Sequence, residues 1–235
     1  MKEFWDILVA IKFACEQAGV QVVTGDTKVV EKGKGDKIFI NTTGIGQQHT
    51  KANIDINNVK VGDKIIVSDN LATHGIAIMS VREGLEFETT IESDTRNLNH
   101  IVNRLLDEFG NDIHLLKDPT RGGVATVLNE IARDAKVGIN IHQKNIPINE
   151  QVKGACEILG LDPLYVANEG IFMAVVAEEI ANDFIKKLRT FDNCHHAAVI
   201  GEVVEVHPRQ VILTSAIGGK RVVNMLVGEQ LPRIC

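Results

Sequence analysis

Apolar residues recur at helical spacing from the start of the chain: Phe4, Ile7, Leu8, Ile11, Ala14, Cys15 and Ala18, with Gly19 as the stop. This stripe predicts an opening helix. Two β-rich runs follow, 20–24 and 37–43, set around the turn signals Gly25-Asp26 and 32–36. One helix and a pair of strands cannot bury both of their faces. Residues 1–46 therefore read as the last helix and strands of an α/β domain whose start is absent. A polar linker is expected over 47–58. Beyond it, helix-periodic segments at 73–83, 98–109, 123–135, 149–159 and 178–188 alternate with strand-like segments. The strand-like segments are 64–68, 113–117, 138–142, 171–176, 197–206, 210–213 and 220–225. That mixture predicts a second domain over 59–225, α/β or α+β, with helices packed on a sheet. Periodicity stops at Leu226, and 226–235 reads as a flexible tail ending in Cys235.

Composition narrows the class. Of 235 residues, 44% are hydrophobic and 24% charged, ordinary values for a chain with a packed core. A net charge of −6, with no dense Lys/Arg run, argues against a nucleic-acid partner, as does the small aromatic content of 4%. No apolar run opens the chain, so neither a leader nor a membrane span is expected there. Four cysteines lack CxxC spacing, which removes zinc-ribbon and thioredoxin readings and points to a reducing cytoplasm.

Three short segments carry candidate chemistry. Thr24-Gly25-Asp26-Thr27-Lys28 places a carboxylate and an ammonium side by side at a glycine turn. That suits Mg²⁺ and phosphate, and equally an ordinary Gly-Asp turn. Asp118-Pro119-Thr120-Arg121-Gly122-Gly123 precedes a helix start, where backbone donors favour anions and Arg121 can fork onto a phosphate. Asp-Pro also serves as a purely structural helix opening. Ala167-Asn168-Glu169-Gly170 leads into a strand, with Glu169 either a general base or a turn residue. His74-Gly75 reads as a polar loop or helix start, and His195-His196 as a solvated loop. No GxxxxGK[ST] and no GxGxxG is present, so the common P-loop and Rossmann sites are not supported. Cys235 is either a frayed end or a reactive tip, and nine extended residues before it span roughly 30 Å.

Taken in order, Thr24-Gly25-Asp26-Thr27-Lys28-Val29-Val30, the segment 118–123, Ala167-Asn168-Glu169-Gly170 and the terminal Pro232-Arg233-Ile234-Cys235 closely resemble the HypE family of hydrogenase maturation factors, the carbamoyl dehydratases. Segments such as His74-Gly75 and Ile200-Gly201-Glu202 extend the likeness over essentially the whole chain. The resemblance implies the C-terminal half of an aminoimidazole ribonucleotide synthetase-like fold, preceded by the end of its N-terminal domain. The remainder of that ATP-binding domain, present in family members, is not in this sequence.

The same resemblance implies the activity and its parts. A HypF-type carbamoyltransferase loads a carbamoyl group onto the Cys235 thiol. ATP with Mg²⁺ then drives its dehydration to a thiocyanate, and the cyanide passes through a HypC–HypD scaffold to the iron of [NiFe]-hydrogenase. In this scheme Asp26 binds Mg²⁺, while Lys28 and Arg121 face phosphate oxygens. Asp118, Thr120, Gly122 and Gly123 shape the nucleotide pocket. Glu169 takes protons from the amide nitrogen, Asn168 orients the amide and Cys235 is the covalent carrier. The full-length form is expected as a homodimer, in the cytoplasm. Rival readings are a non-catalytic docking fragment, or another ATP enzyme of the superfold such as selenophosphate synthetase, aminoimidazole ribonucleotide synthetase or thiamine-phosphate kinase.

Overall fold

A computed structural model describes residues 2–35, 38–84, 90–226 and 228. Contacts divide the chain into two compact units, 1–50 and 51–235. In the first, helix α1 (Lys2–Ala18) half-buries Phe4, Ile7, Ile11, Cys15 and Ala18 of the expected stripe, while Leu8 and Ala14 are exposed. Gly19 closes it at φ +67°, the left-handed region that glycine enters without a Cβ penalty. The strands expected at 20–24 and 37–43 do not form among the described residues; Lys37 lies outside them. A strand exists only by hydrogen bonding to a neighbour. No such neighbour is described here, and Val22, Val23, Phe39 and Ile40 remain exposed.

The stretch 51–58, expected as linker, belongs instead to the second unit. The Lys51 ammonium donates to the Asp107 carbonyl at 2.6 Å, and the Asp55 N–H to the His114 carbonyl at 3.1 Å. Asp55 also caps the short turn Ile56–Asn58, and Ile54 and Ile56 pack on the core. A polar composition concealed these two apolar anchors.

The second unit is a seven-stranded sheet: β1 (Lys64–Val67), β2 (Ile113–Lys117), β3 (Gly138–His142), β4 (Met173–Val176), β5 (Ala198–Val204), β6 (Val211–Thr214) and β7 (Lys220–Val223). Their order is β2-β4-β1-β5-β3-β6-β7, antiparallel except for the parallel pair β3–β6. Interior strand β1 alternates Ile65 and Val67 to one face and Ile66 to the other, all fully buried. Such a strand needs helices on both sides. On the Ile65 face lie α2 (Thr73–Glu83), α4 (Gly123–Asp134) and α5 (Glu150–Leu159). On the Ile66 face lie α3 (Asn99–Phe109) and α6 (Ala181–Leu188). There Phe184 is fully buried, with its ring centroid 5.3 Å from that of Phe109. The helix expected over 178–188 begins as a 3-10 turn, Glu178–Ile180, and becomes α-helical at Ala181. Among the described residues no helix is long and apolar enough to cross a membrane.

Two cysteines lie inside this unit. Burial pushes the Cys156 thiol up to about 11, helped by the charges of Asp162 and Glu157. Burial likewise pushes Cys194 up to about 11, with Asp69 adding and Arg96 opposing. The thiolate is the nucleophile, so both are expected to resist iodoacetamide in the native protein at neutral pH and to react once urea unfolds it. Peptide mass spectrometry reads the difference; rapid native labelling of either would contradict their placement.

Candidate active site

Four loops meet beyond the ends of β1, β2 and β4, and one side chain ties three of them. Asn168 is fully buried in the turn before β4. Its Oδ1 accepts the Ala72 N–H at 2.7 Å, and its Nδ2 donates to the carbonyls of Pro119 at 2.9 Å and Val166 at 3.0 Å. The Asn168 N–H adds a bond to the Pro119 carbonyl at 3.2 Å. Ala72, at the start of α2, is held at φ 69°, a conformation that an L-residue adopts only when its surroundings fix it. The amide expected to orient a substrate is thus spent on backbone: Asn168 positions the loops. Its partners lie 49 and 96 residues away, so local sequence could not reveal them.

On one side of this hub is the 118–123 loop. Pro119 is buried; Asp118 and Arg121 are exposed and Thr120 half-buried. Gly122 is the N-cap of α4 with φ 76° and no side-chain cap. Gly123 follows at φ 60°, and a Cβ there would lie 2.5 Å from the Leu164 carbonyl oxygen and 2.6 Å from that of Val166. Asp118, Thr120, Arg121 and Gly122 open onto a cavity of about 500 Å³, shared with Thr126 and Leu226. Thr126 Oγ1 is buried there without a hydrogen-bond partner among the described residues. Beside it Lys117 pairs with Glu130.

On the other side is Glu169. Its N–H donates to Asp94 Oδ1 at 3.1 Å, and its own Oε1 is buried with no partner among the described residues. Gly170 makes this approach possible, since a Cβ there would fall 1.6 Å from the Asp94 carbonyl oxygen. Around Asp94, the Arg96 Nε donates to that same carbonyl at 3.0 Å, and Arg96 Nη1 lies 3.6 Å from Asp69 Oδ2. His74, in the first turn of α2, shares a 2.8 Å hydrogen bond with Ser93 Oγ. Asp69, Thr73, Ser93, Asp94 and Arg96 line a second cavity of about 310 Å³. Sequence reasoning passed over Asp94, because a lone Ser-Asp pair carries no motif spacing. A third cavity, of about 480 Å³ against Ile146, Cys156 and Leu213, contains none of the expected residues.

The remaining expected residues are placed differently. Asp26 and Lys28 belong to the first unit and are exposed, and Asp26 Oδ1 accepts the Thr27 N–H at 2.8 Å. Among the described residues no group of three or more His, Cys, Asp or Glu is arranged to hold a metal. The described residues therefore do not by themselves form a Mg²⁺ cage. Cys235 lies outside the described residues. His195 and His196 are exposed in a loop, as their isolation suggested.

Two domain families match this architecture: the N-terminal domain of AIR synthase related proteins over residues 1–48 and their C-terminal domain over residues 60–213. The fold is therefore that of an AIR synthase related protein, with most of the match in the C-terminal domain. Within that class the relatives are specific. A carbamoyl dehydratase HypE from Azotobacter vinelandii is 45% identical over 97% of this chain and 67% of its own length. The crystal structure of hydrogenase maturation protein HypE in complex with ATP superposes with a TM-score of 0.93 at 43% identity, over 98% of this chain and 70% of that one. A HypE–HypF complex gives 0.92 at 41% identity, over 96% and 73%. The chain belongs to the HypE family of carbamoyl dehydratases. It spans 63–67% of the length of the first such relatives, so their activity is not automatically its own.

Proposed function

We propose that this chain carries a carbamoyl group on Cys235 and takes part in dehydrating it to a thiocyanate at the Glu169 loop, with ATP consumed, in hydrogenase maturation. The observation that carries the reading is the buried Glu169 Oε1, left without a partner among the described residues in a loop that Asn168 ties to its neighbours. A buried acceptor without a donor costs about 1–3 kcal/mol, so such an atom calls for a donor from a ligand or an ordered water. An S-carboxamide fits: its nitrogen loses its two protons in turn, and Glu169 is the base we assign to take each one and pass it to solvent.

ATP supplies a phosphoryl group that turns the poor amide-oxygen leaving group into phosphate. The residues that would hold its phosphates here are Arg121 and the first turn of α4, whose Gly122 start has no side-chain cap. Thr126 Oγ1, buried and unpartnered among the described residues, offers a donor in the same cavity. In the first unit Lys28 supplies an ammonium and Asp26 a carboxylate that would contribute to Mg²⁺. Asp118 and Thr120 border the mouth of the cavity. Because the HypE in the complex above is bound to HypF, a HypF-type transferase is the loading partner we assign, with a HypC–HypD type scaffold as acceptor.

Intact-mass spectrometry tests the reading. Incubation with carbamoyl phosphate, ATP and the transferase should add one carbamoyl group to the wild type and none to Cys235→Ala. Mg-ATP should then remove one water from the adduct. An adduct of equal yield on Cys235→Ala would sink the carrier assignment.

A further inference from the structure

Asp94 is 8% exposed and its two carboxylate oxygens are used unequally. Oδ1 accepts the Glu169 N–H at 3.1 Å. Oδ2 is buried and, like Glu169 Oε1, has no hydrogen-bond partner among the described residues. Arg96, two residues on, is engaged elsewhere. Its Nε donates to the Asp94 carbonyl, its Nη1 donates to the Asn193 carbonyl, and its charge lies toward Asp69. Two unanswered acceptors therefore belong to two loops locked together at the Gly170–Asp94 contact.

Their chemistry selects a ligand. Phosphate and carboxylate bring acceptors and charge of the wrong sign, and a hydroxyl brings one donor. A primary amide nitrogen brings two. Asp94 also lines the cavity of about 310 Å³, together with Thr73, Ser93 and Arg96.

We propose that Asp94 is a further residue of this site: Oδ1 positions Glu169, and Oδ2 together with Glu169 Oε1 receives the two N–H groups of the carbamoyl substrate. This rests on the function proposed above. Asp94 holds and orients the nitrogen, while the proton that leaves it goes to Glu169.

The test needs no turnover. Cyanate, as HN=C=O, adds to a thiol without an enzyme: the S–H bond breaks, an S–C bond forms, and the proton ends on nitrogen as S–C(O)NH₂. In a Cys15→Ser background, with Cys156 and Cys194 buried and pushed up to about 11, Cys235 is the remaining thiol to be loaded with cyanate carrying a heavy nitrogen isotope. NMR then reads exchange of the two amide protons with solvent. The expected result is exchange slowed about tenfold relative to a small thiocarbamate, the equivalent of about one net hydrogen bond. In Asp94→Asn, whose amide oxygen can still accept the Glu169 N–H, exchange should return to the free rate with the melting temperature kept. If that variant does not fold, Asp94→Ser serves with the same readout. Equal exchange in the wild type and either folded variant overturns the proposal, a trapped water being then the ligand of Oδ2. Slowing lost in Glu169→Gln but kept in Asp94→Asn removes Asp94 alone and leaves the assignment of Glu169 standing. Exchange at the free rate in the wild type removes both.

Discussion

A chain carrying Glu169→Gln is expected to accept a carbamoyl group on Cys235 and to stop there. The substitution keeps the size of the side chain and the backbone N–H that Asp94 Oδ1 accepts at 3.1 Å, so the loop should stay in place. It replaces an acceptor-only carboxylate with an amide that cannot take a proton. General-base catalysis typically contributes about 10²–10⁴-fold, so dehydration should slow by roughly that factor while loading proceeds at the wild-type rate. Quenched time points, weighed intact, would show the carbamoyl mass persisting. Conversion to thiocyanate at an undiminished rate would remove Glu169 from the chemistry and return it to the role of a turn residue.

Asn168→Ala should substantially destabilise the second unit. The alanine withdraws one acceptor and two donor bonds from a site with no solvent to replace them. It strands the Ala72 N–H and weakens the satisfaction of the Pro119 and Val166 carbonyls. At about 1–3 kcal/mol for a stranded buried group, a loss of about 3 kcal/mol or more is expected. That is a large share of the roughly 5–15 kcal/mol by which domains are stable. It corresponds to a fall of roughly 6–12 °C in melting temperature. Asn168→Asp should be no rescue: it keeps the acceptor for Ala72 but turns a carboxylate toward two carbonyl oxygens. Thermal unfolding followed by circular dichroism decides, and a loss below about 1 kcal/mol would mean that the three loops hold their places without this amide.

Helices of the second unit were legible because each must bury one stripe. Ile101 and Leu105 of α3, and Phe184 and Leu188 of α6, stand at the spacing that writes such a stripe into sequence. Strand-like runs were legible in the same unit because they were short, apolar and bounded by turns. The identical signal at 20–24 misled, since β character in a sequence states a preference and only a hydrogen-bonded neighbour makes a ladder. Of the candidate site, the segments 118–123 and 167–170 were found as motifs, but their relation was not. Asn168 looks like a substrate-facing amide until Ala72 and Pro119 are seen around it. Asp94 was invisible because its meaning comes from Glu169 and Gly170, far along the chain. Contacts between distant segments leave little trace in a single sequence.

The sheet order carries a consequence for how the polypeptide is made. Lys64 of β1 pairs with Val176 on one side and Glu202 on the other. An interior strand of the sheet is thus among the first parts of its unit to leave the ribosome and must wait for neighbours that emerge much later. Closing such long loops delays assembly. Until then the apolar run Ile65-Ile66-Val67 is open to wrong partners during synthesis, and ribosome-bound intermediates ending before residue 176 should be the stage that depends most on chaperones.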